Sequence, residues 1–282
     1  MRKAILILSI IFSVLNANGL YNEFKTNVIG INGNHVTIKN SKDFTIGSTG
    51  IIIHKFDKST SSIISSVRVI NKSGDTATLK IKNYIGLKQN SLPRSGITPQ
   101  VGDEVIINYL YDRALIVAPN YKVYSEIINK YKNITWVNPD IPASFLAKMY
   151  RPNPDKKLFQ QMCSQNAASL ILFAMDDALY FVDCNDFKVV KKDKAFPIKN
   201  FQVPFYSRVK NIDSSMFEFG SSKIDSYLDY YKALIKNGGE NSESGYSIFS
   251  RITNIGTTSN DNNSSEKDTP FNLYNYLKTK MK

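Results

Sequence analysis

Histidine and cysteine are nearly absent from this chain of 282 residues, two of each, and tryptophan occurs once. His35 and His54 fall in short alternating segments that read as strands, so there is no histidine-rich metal cluster and no Ser-His or Cys-His pair for nucleophilic catalysis. No C-x-x-C is present, which removes the thiol-redox and zinc-ribbon readings. G-x-S-x-G, the phosphate-binding loop and the dinucleotide fingerprint are missing as well. The expectation is a protein that is not an enzyme and needs no metal or cofactor. An uninterrupted membrane-spanning run is also lacking. The apolar stretch Ala4 to Val14 is too short to cross hydrocarbon. It follows Met1-Arg2-Lys3 and precedes small or polar residues including Ala17, Asn18 and Gly19, the layout of a secretory signal over residues 1–19. No cysteine follows it to take a lipid. The mature chain is expected to start near Leu20 and to reach the periplasm or the outer cell surface.

What is present is enough apolar material for real cores, 42% hydrophobic and 12% aromatic residues. The formal charge is +12, and it falls to +10 when Arg2 and Lys3 leave with the signal. The lysines are scattered singly without an arginine-rich run or a recognition helix, so nucleic acid is not the expected partner. A basic surface attracts anionic lipid headgroups, polyanionic glycans or acidic protein faces, and peripheral membrane contact fits it. A plainly solvated basic surface is the alternative.

From Phe24 to Ile81 the chain alternates apolar and polar residues in bursts: Asn27 to Gly30, His35 to Lys39, Gly50 to His54, Ser62 to Ile70 and Thr76 to Ile81. Asn32-Gly33, Gly47 to Gly50 and Ser73-Gly74-Asp75 separate them as turns, and Val101 to Ile107 adds another strand. The pattern predicts a small antiparallel β-barrel over residues 20–110, similar to the SH3-like or OB-like barrels that serve as assembly modules in bacterial envelope machines. A mixed-sheet α/β domain is expected over residues 111–237, so the fold class is α+β. Strand Ala114 to Ala118 leads into a helix at Tyr121 to Tyr131 and a strand at Ile134 to Val137. Helices follow at Pro142 to Met149 and Asp155 to Asn166, then strands at Ser169 to Ala174, Ala178 to Val182 and Phe187 to Lys191. A helix from Lys223 to Lys236 closes the core. Residues 238–268 are rich in Asn, Ser, Thr and Gly and read as a flexible linker. Residues 269–282 read as a short basic amphipathic helix with Pro270 in its first turn.

Few residues suggest chemistry. Cys163 and Cys184, twenty-one positions apart in an exported chain, read as a disulfide, the alternative being two buried thiols that do not face each other. Asp176, Asp177, Asp183 and Asp186 have the look of a cation site, but aspartates in hairpin turns serve the backbone far more often. Asp261-Asn262-Asn263-Ser264-Ser265 matches the acidic-x-Asn-x-Ser/Thr acceptor of bacterial N-linked glycosylation, which makes Asn263 a candidate site. The sequons at Asn71 and Asn133 lack the acidic residue. The chain closes on Lys278-Thr279-Lys280-Met281-Lys282. A terminal lysine holds an ammonium and a carboxylate one side chain apart, the zwitterion that a kringle lysine-binding site reads.

The signal, the segment LPRSGITPQVGDEVIINYLYDRALIVAPNYKVYSEI, the cysteine pair, PFYSRVKNID and SYLDYYKALIKN together resemble the N-terminal domain of the plasminogen-binding protein family of host-associated bacteria. The resemblance runs from about Leu20 to Asn237. It implies surface capture of host plasminogen, with Lys282, Lys280 and Lys278 as the binding residues. In that family a long tail rich in Lys and Glu follows the domain, whereas here a short Asn/Ser-rich linker does. The alternative is a periplasmic structural scaffold of cell-envelope or flagellar assembly. Partner and oligomeric state are not legible in the residues.

Overall fold

A computed structural model describes residues 22–84, 96–210, 212–213 and 223–238. The expected signal peptide, most of the expected linker, the expected terminal helix and with them Asn263, Lys278, Lys280 and Lys282 lie outside the described residues. The described residues all belong to one compact unit.

Short strands joined by tight turns build the first half. They are β1 (Phe24–Asn27), β2 (Gly30–Asn32), β3 (His35–Lys39), β4 (Thr49–Lys55), β5 (Ser61–Ser73), β6 (Thr76–Lys82) and β7 (Glu104–Ile107). All pair antiparallel in one seven-stranded sheet, ordered β1-β7-β4-β5-β6-β3-β2. The two-residue loops Gly33-Asn34 and Gly74-Asp75 carry their glycines at φ 55° and 52°, the left-handed backbone that such hairpins require. One face is apolar, and Val36, Ile38, Ile52, Val67, Val69, Leu79, Val105 and Ile107 bury against Phe44.

The expected barrel is here a curled sheet, a half-barrel. Its edge strands β1 and β2 are consecutive in the chain. Their link, Val28-Ile29, donates one amide to each edge, Val28 N to Asp103 O and Ile29 N to Thr37 O, both at 2.9 Å. The strand expected over Asn27 to Gly30 is therefore a bend, because its donors point to opposite edges of the curl. Gly50 has a packing reason: a Cβ there would stand 2.3 Å from the Ile106 carbonyl oxygen on the neighbouring strand.

The second half comprises β8 (Arg113–Val117), α1 (Tyr121–Lys130), β9 (Thr135–Trp136), α2 (Asp140–Lys148), α3 (Lys156–Gln165), β10 (Leu170–Ala174), β11 (Ala178–Asp183), β12 (Val189–Lys194) and α4 (Tyr227–Lys236). The sheet order is β12-β11-β10-β8-β9, with β9, β8 and β10 parallel and the other pairings antiparallel. Helix starts follow capping chemistry: Asn120, Asp155 and Ser226 accept from the amides of Val123, Leu158 and Asp229. The sheet is covered on both faces. Leu170 and Leu172 pack with Val123 and Ile127 of α1, while Ile171 and Phe173 pack with Phe159 of α3 and Tyr231 of α4. The last strand begins two residues later than expected, because Phe187 sits at φ 56° and its amide closes a turn onto Asp183 O at 2.9 Å.

A buried polar knot joins the halves. Asp183, fully buried, accepts from the hydroxyls of Thr49 and Tyr111, both at 2.6 Å, and from the amides of Asn185 and Asp186 at 2.9 and 2.8 Å. Burial pushes its carboxyl up to about 6, with these hydrogen bonds pulling the other way. Burial likewise raises the Tyr111 phenol well above its usual range. Beside it Asp186 pairs with Arg68 at 3.2 Å and with Lys82.

Candidate functional site

The residues that the sequence singles out do not assemble into one centre. Cys163 at the end of α3 and Cys184 after β11 are joined in a disulfide with a Cα–Cα distance of 6.3 Å. His54 is spent on Asp103, with Nδ1 2.8 Å from Oδ1, and His35 lies in β3. The four aspartates separate to opposite ends of β11. Asp176 pairs with Lys232 at 2.7 Å and Asp177 accepts from the Tyr180 hydroxyl, while Asp183 and Asp186 belong to the knot between the two halves. No group of three or more His, Cys, Asp or Glu side chains among the described residues is placed to hold a metal ion.

The topology does mark one place. From β8 the chain passes through α1 to β9 on one side, then returns through α2 and α3 to β10 on the other. The carboxyl end of β8 is thus the switch point of the parallel strands, where α/β sheets form ligand crevices. Here a strap of irregular chain, residues 196–210, lies across that end. Gln202 N donates to Pro119 O and Tyr206 N to Ala118 O, both at 2.7 Å, and Asn120 Nδ2 donates to Asn200 O at 2.8 Å. Tyr231 of α4 donates its hydroxyl to Pro204 O at 2.7 Å, and Tyr227 reaches Val117 O and Ala174 O at 2.9 and 3.1 Å. Phe205 is buried below, in the core shared with α3 and α4.

The far end of the strap is pinned by a two-pronged pair. Arg208 donates its amide to Asp140 Oδ1 and its Nε to Oδ2, each at 2.7 Å. The Arg208 amide first, and then its guanidinium, hold the Asp140 carboxyl below its usual range. Around this pin the surface is aromatic. Tyr121, Tyr124 and Tyr206 form a triangle with ring centroids 5.4 to 6.5 Å apart, and Tyr121 is 63% exposed. Ile141, Phe201 and Val203 are exposed on the same edge. Beside the strap is a groove of about 570 Å³.

Three blocks that carry the family resemblance, around Ala118 to Glu126, Pro204 to Asp213 and Tyr227 to Asn237, therefore converge on one edge of the sheet. Sequence reasoning placed Tyr121 and Tyr124 on a helix and did not place Tyr206, Ser207 or Arg208 in a site. The compact polar-aromatic run Phe205 to Arg208, outside any periodic segment, was the available signal.

The family model described as plasminogen-binding protein PgbA, N-terminal, matches residues 23–235. The chain belongs to that family, whose shared part coincides with the folded body. Two relatives are proteins named plasminogen-binding protein PgbA, from Helicobacter pylori strains J99 / ATCC 700824 and ATCC 700392 / 26695, each 26% identical over 199 residues. The alignments cover 69% of this chain and 43% of each relative, so the chain spans less than half the length of the curated relatives it matches.

Proposed function

We propose that this protein is a non-enzymatic binding protein of the cell envelope or surface that captures host plasminogen. Membership of the family over residues 23–235, with relatives named for plasminogen binding, is the observation that carries this reading. The α+β body acts as the presenting scaffold. Lys282, helped by Lys280 and Lys278, supplies the ammonium that a kringle site takes, and export follows from the signal layout of residues 1–19. Asn263, preceded at two positions by Asp261, is a glycan acceptor in a host that has the transferase.

The test is binding of the mature chain to immobilised plasminogen, with and without a soluble lysine analogue. Capture that the analogue competes for, and that deletion of Lys282 reduces by about tenfold or more, is the expected result. Capture unchanged by both overturns the lysine mechanism. A second reading is favoured by the matched region lying wholly inside the folded body while the relatives extend well beyond it. In that reading the shared body is an envelope assembly module, and a periplasmic protein inaccessible to protease on intact cells supports it against surface capture.

A further inference from the structure

We propose that the groove beside the strap is a second binding site, independent of Lys278, Lys280 and Lys282, and that it takes the carboxyl-terminal end of an extended peptide whose last side chain is apolar. The groove, about 570 Å³, is of the size that holds a few residues of chain. Its walls are apolar where they meet a side chain: Val203, Pro204 and Val209 from the strap, Ile212 beyond it, Pro152 from the loop before α3 and Ile224 ahead of α4. Its cations are Arg208, Lys210 and Lys223. Arg208 is committed to Asp140 at 2.7 Å and Lys223 to Asp213 at 3.1 Å. Lys210 is exposed and forms no ion pair among the described residues, so the groove has room for one more carboxylate and not for several.

Two further features belong to the same wall. Ser207 is only 6% exposed, and its buried hydroxyl has no hydrogen-bond partner among the described residues. A buried polar group of that kind calls for a partner that comes from outside the chain. The groove also adjoins the switch-point end of the parallel strands, where the strap leaves exposed Phe201 and the tyrosine triangle to flank an incoming chain. Among the described residues, one apolar floor, one ammonium outside any ion pair and one hydroxyl without a partner match a terminal carboxylate with its apolar side chain better than a polyanion, which needs several such cations.

The experiment uses the 15N-labelled mature chain and acetyl-Ala-Val-Leu with a free carboxylate as probe. Amide shifts confined to the groove, at Ser207, Val209 and Ile224, are expected. Weakening by about tenfold is expected when the peptide carboxylate is amidated and, separately, in Lys210→Gln, whose exposed side chain is not needed for folding. Equal binding of acid and amide, shifts elsewhere on the body, or binding of octanoate without the peptide each overturn the proposal. Because the probe contains no lysine and no variant touches residues 278–282, failure here leaves plasminogen capture standing, and the reverse also holds.

Discussion

The two sheets of the body solve burial differently. In the curled sheet burial alternates along β5, with Val67 and Val69 inside while Ser66 and Arg68 are half-buried, and the opposite face is covered at β4 and β7, where Ile51 and Ile106 are buried. In the mixed sheet every residue of β10 is buried, because α1 covers one face and α3 with α4 the other. The first arrangement gathers mainly one row of aliphatic side chains into a single core. The second spends both rows and adds an aromatic group, Phe159, Phe173 and Tyr231, with ring centroids 5.3 to 6.3 Å apart. A protein that holds a strap and a groove at one sheet edge needs that edge stiff, and two-sided cover provides it.

The largest expected difference comes from emptying each core. Phe173→Ala removes a ring that is packed from above and from the sheet, and should cost about 3–5 kcal/mol, whereas Ile38→Ala in the curled-sheet core should cost about 2–5 kcal/mol and fall below it. Urea unfolding of both variants, with unchanged m-values, measures the gap; a larger loss from Ile38→Ala would reverse the comparison. Next comes the disulfide. Replacing Cys163 and Cys184 together by alanine opens a loop of 21 residues in the mixed-sheet half and should cost about 3 kcal/mol in the chain-entropy model. Reduction of the native protein should reproduce that loss in the same assay, and an unchanged unfolding midpoint would show that packing of α3 suffices alone.

The joint between the halves gives the third and smallest effect. The Asp183 carboxyl is raised from 3.8 to about 6 in the folded protein, so the folded state holds this proton more tightly than the unfolded chain. Its contribution is therefore most favourable below about pH 4 and is lost as pH rises through about 6, a swing of up to about 3 kcal/mol. In Asp183→Asn that component of the pH dependence should vanish, while the amide still offers an oxygen to the Asn185 and Asp186 amides. Stability curves measured from pH 4 to 7 check this. Parallel curves for the two proteins would mean that the carboxylate is fully stabilised by its four donors.

Much of this body was legible before any coordinates. Period-two alternation around Val36 to Ile38 and Thr76 to Ile81, glycine turns at Gly33 and Gly74, and the helical apolar period of Tyr121 to Tyr131 located elements to within a few residues. The misreadings share a cause. Val28-Ile29 looks like strand because its side chains alternate, but its amides serve two different neighbours. Phe187 looks like the start of a strand because it is apolar, but it is buried in a turn held by Asp183.

The site was much less legible. Ala118, Asp140, Tyr206 and Tyr231 are brought together over separations of up to 113 residues by the order of the strands, and no local pattern encodes that order. Local propensity and hydrophobic period decide which residues can form strands and helices, because these depend on neighbours a few positions away. Where the parallel order reverses, which aspartate becomes a buried joint and which merely pins a strap were decided only by tertiary packing, because burial and charge pairing depend on groups that the chain brings near one another only when folded.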